Sequence, residues 1–107
     1  PDAWADINFW GNELTLHATD PNHKIISERH NVDMGNVTVP HFGVHLDAIT
    51  FKNLKQRLID KNIKFIDPPY IRFKGEDIEQ ETMFLADPNG NCMEIKTMKN
   101  PNTLFKK

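Results

Sequence analysis

Hydrophobic and polar residues alternate along several short stretches of the chain, and this period of two predicts a protein built mainly from β-strands. Strands are predicted near residues 4–9, 13–18, 40–47, 63–66, 70–74, 82–87 and 92–98. One stretch has a different spacing, because Phe51, Leu54 and Leu58 recur every three or four residues. This spacing predicts a helix over about residues 51–61, with Thr50 as its N-cap residue.

Turn-forming residues separate these elements. Asn62 is predicted to follow the C-terminus of the helix, since asparagine tolerates the left-handed backbone conformation found there. The run Asp67-Pro68-Pro69 is predicted to end the strand at residues 63–66. Asn89-Gly90 lies between two runs rich in β-forming residues, which is a strong signal for a β-hairpin.

A second hairpin is predicted near the N-terminus, and its sequence repeats the first. Residues 9–17 align with residues 88–96, so that Gly-Asn falls on Gly-Asn. In this alignment Thr15 occupies the position of Glu94. The match indicates two copies of one structural unit, of which the first is cut short.

The fold class predicted from this order is α+β. From residue 40 onward a strand, a helix and then a run of further strands follow, which we interpret as a complete βαβββ unit. We therefore divide the chain into a closing hairpin of a truncated first unit, a linker, the complete unit and a C-terminal tail. The predicted boundaries are residues 1–18, 19–39, 40–99 and 100–107. The linker is polar and is predicted to be irregular, with a short strand considered at residues 24–26.

Composition narrows the range of partners. The chain has 107 residues, a net charge of −2 and a pI near 6.2, so it has no basic footprint for nucleic acid. Neither a membrane span nor a signal peptide is recognisable, and no membrane partner is predicted. The single cysteine, Cys92, fits a reducing compartment, so we expect a cytoplasmic protein.

Two side chains stand out as candidates for chemistry. His41 and Glu94 lie on the polar faces of two different predicted strands. Such an arrangement is what a metal site needs, although a strand histidine is more often a hydrogen-bonded, partly buried residue. His23 and His30 have polar neighbours and are interpreted as solvated.

The motifs at the two ends of the βαβββ unit resemble those of the vicinal oxygen chelate superfamily. The opening motif is Val39-Pro40-His41-Phe42-Gly43-Val44, and the closing motif runs from Asp87 to Ile95. The superfamily includes glyoxalase I, extradiol ring-cleaving dioxygenases and bleomycin-resistance proteins. The N-terminal hairpin resembles the last two strands of a preceding module in the same proteins.

The resemblance implies a divalent metal ion held in a cup between two modules. Carried over by position, His41 and Glu94 match metal ligands. Thr15 stands where the first module would place a carboxylate, and His17, two residues further on, is the candidate substitute. Two histidines and one carboxylate favour Fe(II), with Zn, Ni or Mn as alternatives.

The implied function is that of a metal-dependent enzyme acting on a small substrate with adjacent oxygen atoms, with a ring-cleaving dioxygenase-like reaction favoured. His45, Tyr70 and Arg72 are the candidate catalytic or substrate-contacting residues, and no organic cofactor is predicted. The alternative is a metal-free small-molecule-binding protein of the bleomycin-resistance type.

A homodimer is also expected. The first hairpin would expose Ile7, Phe9, Leu14 and Leu16 together with an unpaired strand edge, and both features favour association. We therefore expect either residues upstream of Pro1 or a second chain to cover this surface.

Overall fold

The computed structural model describes residues 3–23, 27–32 and 35–106. Within them the strands are β1 (Trp4–Phe9), β2 (Asn12–His17), β3 (Glu28–Val32), β4 (Gly35–Val39), β5 (Phe42–His45), β6 (Asp67–Arg72), β7 (Gln80–Ala86) and β8 (Cys92–Met98). The helices are α1 (Ala48–Asp60) and a short 3-10 helix (Pro101–Thr103). The predicted α+β class and the βαβββ order from β5 to β8 are confirmed.

The central element is a four-stranded sheet in the order β5-β8-β7-β6. β5 runs parallel to β8, and the other neighbours are antiparallel. Helix α1 covers one face, where alternate apolar residues form the main core: Leu46, Phe51, Met83, Leu85 and Ile95. We call the opposite face, which carries Glu94, the site face. None of the helices in the described part of the chain has the length and apolar character needed to span a membrane.

Helix α1 begins three residues earlier than predicted. Its N-cap is Asp47, whose carboxylate accepts hydrogen bonds from the Thr50 backbone N–H and hydroxyl, each at 2.8 Å. The prediction of Thr50 as N-cap is therefore wrong, because the aspartate three residues before it accepts both of its donors. The prediction for Asn62 is confirmed: its φ is 56°, and the N–H groups of Asn62 and Ile63 bond back to Ile59 and Leu58.

The strand predicted at residues 63–66 is absent, and the proline run is part of a strand. β6 starts at Asp67 and contains Pro68 and Pro69. β6 is the outer strand of the sheet, and its register shifts between Asp67 and Tyr70. An edge strand with a bulge tolerates prolines because no neighbour needs their missing N–H groups.

The N-terminal hairpin β1–β2 forms a separate two-stranded sheet. Trp10 and Gly11 both have positive φ, 49° and 88°, which suits a two-residue turn between paired Phe9 and Asn12. The ring of Phe9 lies 6.1 Å from that of Phe42 at the start of β5. The hairpin therefore contacts the complete unit at its apolar, helix-covered side.

The prediction of an irregular linker is wrong for residues 28–32 and 35–39, which form the paired antiparallel strands β3 and β4. The short strand considered at residues 24–26 lies outside the described residues. Val37 is 4% exposed and packs with Phe84 and Cys92 on the site face. The largely polar sequence hides this hairpin from periodicity, although Val37 of β4 packs against the sheet.

Candidate functional site

His41 and Glu94 come together at the edge of the sheet. His41 immediately precedes β5, and Glu94 lies in β8 opposite Gly43. The Nε2 atom of His41 is 3.7 Å from Oε1 of Glu94, and their side chains are 26% and 16% exposed. The predicted convergence of these two residues on the face opposite α1 is thus observed.

Each of the two side chains is held by a further hydrogen bond. Nδ1 of His41 lies 2.8 Å from the backbone carbonyl oxygen of Thr38. A carbonyl oxygen only accepts, so Nδ1 donates this hydrogen bond and the other ring nitrogen, Nε2, points towards Glu94. The hydroxyl of Thr82 donates to Oε2 of Glu94 at 2.7 Å, which leaves Oε1 facing the histidine.

This geometry places two electron-rich atoms opposite each other. A neutral imidazole nitrogen and a carboxylate oxygen do not attract one another, but both attract a cation. The cation is either a proton on Nε2 or a metal ion. The ring of His41 also stands edge-on to Phe84, with centroids 5.2 Å apart, so one side of the pair is apolar.

Gly43 allows the two strands that carry the pair to approach. A Cβ atom built on Gly43 would overlap the backbone carbonyl oxygen of Glu94 and lie 3.0 Å from the Glu94 Cβ. The absence of a side chain at this position therefore fixes how closely β5 packs on β8. The distance between His41 and Glu94 depends on this approach.

His17 does not join the pair. It lies at the end of β2 opposite Trp4, in the separate hairpin sheet. Among residues 3–23, 27–32 and 35–106, no three His, Cys, Asp or Glu side chains form a group that could hold a metal ion. Within one chain His17 therefore lies apart from His41 and Glu94, in the hairpin that contacts the helix-covered side.

The hydroxyl of Thr15, at the position that corresponds to Glu94, donates to Oδ1 of Asp6 at 2.6 Å. This pair of Thr15 and Asp6 is exposed to solvent.

His45 makes a structural hydrogen bond to the neighbouring strand. Its Nε2 accepts a hydrogen bond from the backbone N–H of Met98 at 3.2 Å. Burial, with a smaller contribution from the nearby charge of Lys96, lowers the pKa of His45. The folded protein therefore favours the neutral ring that can accept this bond.

We expect the stability of the protein to fall as the pH drops through the ordinary histidine range. Because the folded state lowers the pKa of His45, the unfolded chain binds a proton first, near pH 6.5. The contribution is fully present above that pH and is lost as the pH falls towards the lowered pKa. Urea unfolding at pH 7.5 and pH 5.5 should show a smaller difference for His45→Gln than for the unchanged protein. If His45→Gln keeps the full pH dependence, as the exposed-site control His23→Gln should, the assignment is wrong.

Tyr70 and Arg72 lie on the site face in successive rows. Tyr70 pairs with Thr82, and Arg72 pairs with buried Gln80. Burial raises the pKa of Tyr70, so its phenol stays protonated and can donate a hydrogen bond. The guanidinium of Arg72 lies 4.9 Å from the centre of the Phe73 ring. Tyr70 and Arg72 therefore lie on the same face as Thr82, whose hydroxyl donates to Glu94.

A cavity lies apart from His41 and Glu94. It has a volume of about 690 Å³ and is formed between the N-terminal hairpin and the loop before β8, with Leu14, His17, Phe42, Asn91 and Met93 among its lining residues. A second cavity of about 480 Å³ separates the same hairpin from α1. Neither is lined by His41 or Glu94, so the polar pair and the apolar space are distinct features.

Sequence reasoning missed three residues that shape the site: Arg29, Thr38 and Thr82. Thr82 is fully buried in β7. The alternation of the strand does not show whether a buried threonine hydrogen-bonds a site residue or only packs in the core. Thr38 acts through its backbone, which leaves no side-chain signal. The turn signal Met34-Gly35-Asn36 before Val37 was the one local hint of a hairpin here.

Comparison with known proteins gives a match in structure. A crystal structure of a glyoxalase/bleomycin resistance protein/dioxygenase from Alicyclobacillus acidocaldarius is 26% identical, with a TM-score of 0.73. The match covers 98% of this chain and 74% of that one. A second structure, described as a conserved domain protein, has a TM-score of 0.53 at 19% identity over 92% of this chain and 73% of the other, and it supports the fold alone. No family model matches the chain, and no curated protein matches it significantly.

Proposed function

We infer that this chain, which has the fold of the vicinal oxygen chelate superfamily, is a metal-dependent enzyme of the glyoxalase or extradiol-dioxygenase type. Its proposed substrate is a small molecule with two adjacent oxygen atoms, and a ring-cleaving dioxygenase-like reaction is favoured. The support is the structural match together with one local observation, the orientation of His41 towards Glu94.

That observation carries the proposal because it fits metal binding in both chemistry and distance. Imidazole nitrogen and carboxylate oxygen bind divalent metals at about 2.0–2.2 Å, so two ligands of one ion lie about 3–3.4 Å apart. The present separation of 3.7 Å requires only a small movement of either side chain. The Thr38 carbonyl oxygen supports His41 as a backbone carbonyl supports many metal-binding histidines.

The described residues provide two ligands at this point. A site with two histidines and one carboxylate, which favours Fe(II), needs one more, and Zn, Ni or Mn remain alternatives. We propose that a second copy of the chain provides the remaining protein ligand in a homodimer. Large apolar side chains of the N-terminal hairpin are exposed, including Trp4 (62%) and Leu16 (43%), and their burial would favour such association.

The ion would supply Lewis acidity and a template for adjacent substrate oxygens. The residues of the chain would position the metal ligands and contact the substrate. His41 and Glu94 hold their positions through Thr38 and Thr82. Tyr70 can donate a hydrogen bond from its protonated phenol, and Arg72 can pair with an anionic group of the substrate. The ring of Phe84 limits access of water to one side of the pair.

The alternative function, a metal-free small-molecule-binding protein, is favoured by the cavity of about 690 Å³. This volume lies within the range of about 300–1,000 Å³ found for ligand pockets. Its lining is mainly apolar, with Leu14, Phe42 and Met93 among the walls. In that case the proton on His41 would complete an ordinary ion pair with Glu94.

A titration with Co(II), a stable substitute for Fe(II), distinguishes the two functions. We expect isothermal titration calorimetry to show binding to the unchanged protein and none to Glu94→Ala, because the carboxylate supplies half of the described ligands. Glu81→Gln is the control: it removes one carboxylate from β7, where Glu81 pairs with Lys55 at 2.7 Å and faces the helix.

Glu94→Ala should remain folded by circular dichroism. If it unfolds, the pair is a structural ion pair and not a metal site. If the unchanged protein binds no divalent ion, the metal-dependent function is wrong and the metal-free alternative is favoured.

A further inference from the structure

An arginine of β3 links the hairpin β3–β4 to the sheet by hydrogen bonds. The guanidinium of Arg29 donates to both carboxylate oxygens of Asp67, each at 2.9 Å. It also donates to the Thr38 hydroxyl at 3.0 Å and to the Asn36 carbonyl oxygen at 2.8 Å. One side chain of β3 thus joins β4 to the first residue of β6.

These contacts lie next to the residue that orients His41. The Thr38 hydroxyl accepts a hydrogen bond from Arg29, and the Thr38 backbone carbonyl oxygen accepts one from Nδ1 of His41. The neighbouring Val37 is buried against Phe84, whose ring also contacts His41. The path from Asp67 to the histidine ring therefore consists of direct contacts, with no gap.

We propose that Arg29 and Asp67 are positioning residues of the site, and that the β3–β4 hairpin acts as a clamp which holds the Thr38 carbonyl oxygen against His41. This proposal rests on the proposed function in that His41 and Glu94 are taken to bind a divalent ion. The clamp fixes which ring nitrogen carries the proton and where the other nitrogen points. It thereby presets the geometry that the ion requires.

The shape of the guanidinium explains why arginine is present. Its planar fork bonds both oxygens of Asp67 and still has donors for Thr38 and Asn36. A lysine ammonium keeps the charge but cannot make this set of contacts. Asp67 pairs with Phe84 at the start of β6, and its carboxylate accepts both hydrogen bonds from the hairpin arginine.

The test compares Arg29→Met, Arg29→Lys and Asp67→Asn with Lys55→Met, which removes an ion pair of 2.7 Å on the helix-covered side. We expect Arg29→Met and Asp67→Asn to weaken Co(II) binding about 10–100-fold, the usual effect of losing a residue that orients a metal ligand. The Co(II) affinity of Arg29→Lys should lie between the affinities of these variants and that of the unchanged protein. Lys55→Met should bind Co(II) within about twofold of it, since its pair is remote from the site.

A second measurement is made without metal. Nitrogen-15 NMR of the neutral His41 ring should show the proton on Nδ1 in the unchanged protein and a mixture of the two ring forms in Arg29→Met. The double variant Arg29→Met/Asp67→Asn should be no worse than Arg29→Met alone, because Arg29→Met already removes the contact with Asp67.

The clamp proposal is overturned if Arg29→Met leaves the ring form and Co(II) affinity unchanged, even where it lowers stability. Failure of the unchanged protein to bind Co(II) would instead refute the proposed function. In that case the NMR result alone decides whether the clamp positions His41.

Discussion

Replacing Gly43 with alanine should lower the melting temperature by roughly 10 °C and weaken Co(II) binding strongly. The new Cβ would overlap the backbone carbonyl oxygen of Glu94, and no side-chain rotation can relieve a collision with backbone. Steric overpacking of this kind costs about 1–3 kcal/mol, and about 1 kcal/mol lowers the melting temperature of a small domain by roughly 4–8 °C. The added methyl group pushes β5 away from β8 and so separates His41 from Glu94.

Gly11→Ala is the control for this substitution. It introduces the same methyl group at a φ of 88°, with no atom within 4 Å of the new Cβ. It should cost of order 1 kcal/mol through backbone strain and leave Co(II) affinity unchanged. Calorimetric melting and Co(II) titration of both variants give the comparison. If Gly43→Ala binds Co(II) like the unchanged protein, the close approach of the strands is unimportant for the site.

Phe51→Ala should destabilise the protein by about 3–5 kcal/mol, the usual cost of removing a buried aromatic ring. Phe51 is 1% exposed and belongs to the core that joins α1 to Met83, Leu85 and Ile95. Ile49→Ala is a control on the same helix, because Ile49 is 73% exposed and its loss should change stability by less than about 0.5 kcal/mol. Urea unfolding followed by circular dichroism measures both. Equal effects of the two substitutions would show that α1 does not pack on the sheet as described.

The parts of the fold that were predictable are those determined by local patterns. The alternation in β8 and the three-to-four spacing of Phe51, Leu54 and Leu58 each report which side of an element is buried. The predicted bounds of β1 and β8 are the observed ones, and β2, β5, β7 and α1 are shifted or trimmed by a few residues at their ends. End positions depend on caps such as Asp47, which compete with equally suitable neighbours.

The differences between the predicted and the observed structure have a common physical cause: the observed features depend on residues that are distant in the sequence. The proline run at residues 68–69 fits in β6 because that strand has a free edge, a fact of sheet order and not of local sequence. The β3–β4 hairpin depends on Arg29 meeting Asp67, 38 residues away. His17 was grouped with His41 by family position, yet the hairpin that carries it lies against the other side of the sheet.

For the candidate site, the sequence identified the two central residues but not their support. His41 and Glu94 follow from strand alternation and the family motifs. The Thr38 carbonyl oxygen and the Thr82 hydroxyl, which orient them, become visible only in three dimensions. Because of these two contacts, Nε2 of His41 and Oε1 of Glu94 face each other.

Anomalous diffraction from crystals grown with Co(II) tests the central claim most directly. The account predicts one strong peak between Nε2 of His41 and Oε1 of Glu94, about 2.0–2.2 Å from each. Any remaining protein ligand at the peak should come from a second copy of the chain. A peak at another place, or a direct contact between His41 and Glu94 with no peak, would contradict the proposal that these residues bind a metal ion.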